Sequence, residues 1–106
     1  MPKFLIEANY TLEGVKGLMQ EGGSKRREAA RAAIKSVGGK LESFHFAFGG
    51  TDAFVIIDAP DNVSAAAASA AINATGSVKV SMVVLLTPEE MDEAVKKTVK
   101  YRGPGQ

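Results

Sequence analysis

Cysteine is absent from the 106 residues. That excludes disulfides, thiolate metal sites and cysteine nucleophiles. Histidine occurs once, at His45. With no second histidine and no HxH or HxxE spacing, no dedicated metal site is expected. No apolar run approaches the roughly 18 residues that a membrane-spanning helix needs. The opening segment, Met1-Pro2-Lys3-Phe4-Leu5-Ile6-Glu7, lacks the longer apolar stretch of a signal peptide, so the expected compartment is the cytoplasm. Phosphate-loop spacings are missing too. Gly49-Gly50 and Gly22-Gly23-Ser24-Lys25 match neither GxxxxGK[ST] nor GxGxxG after a strand, and no cofactor is expected.

A large excess of one charge is also lacking. The formal net charge is +1, too small to steer nucleic acid or a membrane over distance. The distribution is nevertheless uneven. Residues 16–40 carry seven basic and two acidic side chains, whereas residues 42–94 carry one basic and eight acidic. The cluster Lys25, Arg26, Arg27, Arg31 and Lys35 has no interleaved aromatic platform. It reads as a solvated helix face, with Glu28 spaced to pair with Arg31, rather than as a nucleic-acid interface.

What the chain does contain is pattern. Its centre, His45 to Asp58, holds two apolar runs of strand length joined by Gly49-Gly50-Thr51-Asp52, which predicts a β-hairpin. Strands are expected over Lys3–Tyr10, Leu41–Phe48, Ala53–Ala59 and Val78–Leu86. Thr11 is the expected cap of a short helical turn, Leu12–Met19, and Ser24 the expected cap of a helix over Lys25–Val37, ended by Gly38-Gly39. Asp61 caps a helix to about Asn73, rich in alanine, and Gly76 closes it. Thr87-Pro88-Glu89-Glu90 is a capping box, with a helix expected from Pro88 to about Lys100. The last residues, Arg102 to Gln106, are expected to be disordered.

The order β-α-β-β-α-β plus a helix is the ferredoxin-like plan, one α+β domain with both crossover helices on one face of a four-stranded antiparallel sheet. The other face should then be polar. Instead Phe54-Val55-Ile56-Ile57 and Val80 to Leu86 are apolar on both sides. The expected cover is a second copy, packed sheet to sheet as a dimeric α+β barrel. The expected partner is therefore the chain itself, in a homodimer or higher homo-oligomer.

Several segments together resemble a known family. They are Asn9-Tyr10-Thr11, Gly38-Gly39-Lys40-Leu41, Gly49-Gly50-Thr51-Asp52, Ala59-Pro60-Asp61 and Thr87-Pro88-Glu89-Glu90-Met91. The layout is similar to the GYD-domain family, named for a Gly-Tyr-Asp signature in the hairpin, over roughly residues 3–95. That resemblance implies a ferredoxin-like fold of the dimeric α+β barrel type and no established activity. Thr51 stands where the signature tyrosine is expected, with Gly49 and Asp52 retained.

Three candidate site residues emerge. His45 can act as a general base near neutral pH, or simply sit hydrogen-bonded on the sheet. Asp52 can be a catalytic carboxylate, but an aspartate after a glycine turn more often holds the turn by accepting backbone N–H groups. Tyr10, at a strand end, can reach a ligand or edge the core with its hydroxyl in water. Glu7, mid-strand, needs either a polar cavity or a partner such as Lys3 or Lys79. The phenylalanines at 44, 46 and 48 share one face and read as core, so a small-molecule site is expected on the His45 side. The functional expectation is an oligomeric small-molecule-binding or protein-interaction module. The alternative is a small enzyme using His45 as base.

Overall fold

Phe4, Ile6 and Ala8 alternate with Lys3, Leu5 and Glu7, and that alternation sets the centre of the molecule. The computed structural model describes all 106 residues. Strand β1 (Lys3–Tyr10) lies inside a four-stranded sheet ordered β2-β3-β1-β4, with β2 (Lys40–Phe46), β3 (Ala53–Asp58) and β4 (Val78–Leu85). All pairings are antiparallel. This is the ferredoxin-like α+β arrangement.

One face of the sheet is sealed. Phe4, Ile6 and Ala8 of β1 pair with Ile57, Val55 and Ala53 of β3, and all six are buried. Helix α2 (Gly23–Ser36) lies over β2, and helix α3 (Asn62–Ala74) lies over β4. Ile34 from α2 and Ala65 and Ala68 from α3 complete the core. The small α3 residues let the helix approach closely, and Asn73 fastens its end. The Asn73 amide donates to the Val80 carbonyl at 3.2 Å, and Val80 N–H donates to Asn73 Oδ1 at 2.7 Å.

Helix α1 (Leu12–Glu21) is capped by Thr11, whose Oγ1 accepts Gly14 N–H. It is longer than the turn expected from sequence. Gly14 has a steric reason: a Cβ there would lie 1.9 Å from the Ser77 carbonyl oxygen, so only glycine lets α1 seat against the start of β4. The α1–α2 junction corrects the expected Ser24 cap. Gly22, at φ +83°, breaks the chain direction, and α2 begins at Gly23 without a side-chain cap. A left-handed backbone at that point suits glycine.

Strand β2 ends earlier than expected, at Phe46, and carries a bulge between Leu41 and Ser43. Residues 47–52 form the hairpin loop, where Phe48 is fully exposed, and Phe46 is 42% exposed. The three phenylalanines are therefore not a common core; only Phe44 packs against it.

Helix α4 also differs. Its capping box forms as expected, but the helix spans only Pro88–Val95 and buries no residue. An eight-residue helix without packing gains too little from propensity alone to extend further. The chain from Leu86 onward projects from the body. The Cα radius of gyration is 16.8 Å, against about 13 Å for a compact chain of this length. No helix is long and apolar enough to cross a membrane.

Candidate functional site

Tyr10 ends β1 on the helix side of the sheet, half-buried. Three depressions meet at this residue. The first is a cavity of about 100 Å³ between sheet and helices, with Ile6 and Val80 on its floor and Ala30, Ala33 and Ile72 on its helical walls. Arg26 is the only charged side chain in its lining. The second is a cleft toward α1. It shares Tyr10, Arg26, Ile72 and Val78 with the cavity and adds the polar groups Glu13, Glu21, Thr75 and Ser77. The third is a shallow groove against Phe46, Phe48 and Asp52.

The cavity exists because α2 presents alanines where larger side chains would fill the space. Close packing ordinarily leaves few voids larger than a water molecule. At the mouth, Arg26 pairs with Glu21 at 3.1 Å. The Tyr10 ring stacks near Phe46, with centroids 6.4 Å apart. Burial holds the Tyr10 phenol above its ordinary pKa, while the neighbouring Arg26 pulls the other way. Tyr10 is thus a neutral donor and acceptor at physiological pH.

Asp52 belongs to the same end of the sheet. Its Oδ2 accepts Tyr10 N–H at 2.8 Å, and its own N–H donates to the Ala8 carbonyl at 2.9 Å. Ala47 N–H donates to the Asp52 carbonyl at 2.7 Å, closing the hairpin loop. One residue therefore ties the loop to the end of β1 and fixes where Tyr10 stands.

His45 is elsewhere. It pairs with Phe54 across β2 and β3 and is exposed on the face away from the helices. The structure brings Tyr10 and Asp52 together and leaves His45 on the opposite side of the sheet. The cavity lies on the phenylalanine side, not on the His45 side expected from sequence. Glu7 takes neither suggested lysine as partner. Lys3 instead bridges Glu42 at 2.7 Å and Asp58 at 3.0 Å. Those two bonds, Glu42 first, raise the Lys3 pKa. Glu7 lines a small polar depression with Asn9, Thr51, Lys79 and Ser81. The position of the signature tyrosine, held here by Thr51, is thus at the edge of the open face.

Of the basic cluster, Arg31 pairs with Glu28 at 3.3 Å, as its spacing suggested. Arg26 is the member that sequence reading missed as a site residue. The available signal was its position one turn before Ala29 and Ala30 and two before Ala33, which places a charge at the end of a small-residue stripe.

Sheet order, helix placement and a cavity between the two layers define an α+β protein of the ferredoxin-like plan. The chain belongs to the GYD domain family, whose sequence model matches residues 4–95, from within β1 to the last residue of α4. Comparison with curated proteins finds no match.

Proposed function

We propose that the protein is a homo-oligomeric small-molecule-binding module. The ligand enters the helix-side cavity at Tyr10, and a second copy covers the open face of the sheet. The cavity carries the first half of this reading. It is apolar, has one charged group at its mouth, and adjoins a polar cleft, the general form of a small-ligand site. An apolar void of roughly 150 Å³ is known to accept benzene, so about 100 Å³ with an open mouth suits a ring-sized body.

The second half rests on the open face. Ile56, Leu5 and Val83 stand in register across three strands, with Phe54 one row along. Val83 is 45% and Phe54 is 38% exposed. The projecting arm adds Leu86, Met91, Val95, Val99 and Tyr101, all exposed. A contiguous apolar surface of this kind favours a protein partner. The flat, repeating strand face suits a copy of itself, because an isologous contact pairs identical patches. Catalysis with His45 as base would need the second copy to wall in the open face, since His45 points away from the cavity.

Titration with benzene, followed through the methyl resonances of Ala33, Ile34 and Ile72, tests the binding reading. Saturable shifts are expected in the native protein and none in Ala33→Leu, which fills the cavity. Shifts that persist unchanged in a folded Ala33→Leu protein would move the ligand site elsewhere.

A further inference from the structure

The mouth of the helix-side cavity has an unusual charge balance for a site with an arginine. Arg26 supplies one positive charge, and Glu13 and Glu21 in the adjoining cleft supply two negative ones. Arg26 is already paired with Glu21 at 3.1 Å. A carboxylate or phosphate head could take the remaining Arg26 N–H donors, but it would then sit beside the carboxylates of Glu13 and Glu21. A carboxylate only accepts hydrogen bonds, so it offers nothing to either glutamate. Like charges brought together at a partly desolvated mouth are unfavourable.

We propose that the cavity takes a neutral, ring-sized apolar compound bearing a hydroxyl head, a phenol or cyclic alcohol, with the ring among Ala30, Ala33 and Ile72 and the hydroxyl at Tyr10, Arg26 and Glu21. This rests on the reading of the helix-side cavity as the binding site. A hydroxyl matches the mouth as it stands, because one group both accepts and donates. Its oxygen accepts from the Arg26 guanidinium or the Tyr10 hydroxyl, and its hydrogen donates to the Glu21 carboxylate. The Arg26–Glu21 pair stays intact and serves as a two-sided receptor. The space of about 100 Å³ favours a single ring as the body. Selectivity follows from what is left unpaired: a site built around a donor and an acceptor disfavours heads that satisfy only one of them.

Three probes with the same ring separate the possibilities: phenol, benzene and benzoate. Each is titrated into the native protein, and dissociation constants are read from the Ala33, Ile34 and Ile72 methyl shifts. One net neutral hydrogen bond corresponds to roughly a 2- to 10-fold gain, so phenol is expected to bind about that much more tightly than benzene, and benzoate more weakly than both. Glu21→Gln, a surface change that leaves the cavity walls intact, is expected to raise benzoate affinity relative to phenol. If neither phenol nor benzene shifts the methyls, the binding reading itself fails. If benzene equals phenol, the cavity binds but the hydroxyl assignment is overturned. If benzoate binds most tightly, Arg26 is an anion receptor and the proposal is wrong.

Discussion

The two faces of one strand behave oppositely. On β1, Phe4, Ile6 and Ala8 are buried beneath helices, while Leu5, Glu7 and Asn9, offset by one residue, face a surface that no element of the same chain covers. Strand β3 repeats the contrast: Ile57 is fully buried, and Ile56 is only half-buried. The composition of the two faces is less different than their burial. Ile56, Leu5 and Val83 form an apolar row on the open side with Ser43 at its end. Burial here is set by which face the crossover helices reach, not by residue type. The covered face retains a void at Tyr10, and the open face retains the exposed apolar row. In the proposed reading the first takes a small molecule and the second another protein surface.

The sharpest way to break this comparison is to place the same charge on each face. Ile57→Lys puts an ammonium without a partner into the core, and burying an unpaired charge costs several kcal/mol at least. That is a large share of the stability of a small domain. The expected result is loss of the cooperative unfolding transition in circular dichroism. Ile56→Lys, one residue away, is expected to keep the protomer folded and to abolish association. If Ile56→Lys unfolds the chain as Ile57→Lys does, folding and association are a single event. If it changes neither, the open face has no partner.

A smaller effect is expected from Asp52→Ala. It removes the acceptor for Tyr10 N–H and loosens the hairpin loop from β1. Loss of a side-chain bond to backbone N–H costs about 0.5–2 kcal/mol, measurable as a shift in the urea midpoint with an unchanged slope. Because Tyr10 stands at the cavity mouth, weaker benzene binding should accompany the loss. Full stability with lost ligand binding would instead make Asp52 a direct ligand contact.

The smallest effects are electrostatic and lie on exposed groups. Asp61 caps α3, and its bond from Ser64 N–H lowers its pKa below the ordinary 3.8. Its contribution is present above that ordinary value and is lost as pH falls through the lowered one. Lys3 runs the other way: its raised pKa gives stability that is present below 10.5 and lost as pH rises through the raised value. Asp61→Asn should flatten the acid limb of the stability curve, and Lys3→Met the alkaline limb. Both are to be followed by thermal melts across pH. An acid limb unchanged by Asp61→Asn would assign it to other carboxylates.

Much of the fold was legible because it is written in local chemistry. The period-two alternation of β1 gave its bounds, and Thr11, Asp61 and Thr87 announced three helix starts through side chains that accept nearby N–H groups. The errors fall where local signals compete or where packing is missing. Gly22 and Gly23 moved the start of α2 ahead of Ser24, and α4 stopped at Val95 for want of anything to pack on. The candidate site was legible only in part. Tyr10 and Asp52 stood out as residues at strand ends. Arg26 did not, because in sequence it is one of several basic residues on a helix. Only the three-dimensional approach of α2 to β1 turns that charge toward Tyr10. His45 drew notice as the lone histidine, but a strand's alternation places it opposite the cavity. No linear motif marks a void whose walls come from four strands and two helices.

In the proposed function one sheet face serves a ligand and the other a second copy, and the mass in solution tests this most directly. Light scattering of the native protein at micromolar concentration should give at least twice the 11.1 kDa chain mass, falling to a single chain in folded Ile56→Lys protein. A native mass of one chain, with Leu5, Ile56 and Val83 left open to solvent, would contradict it.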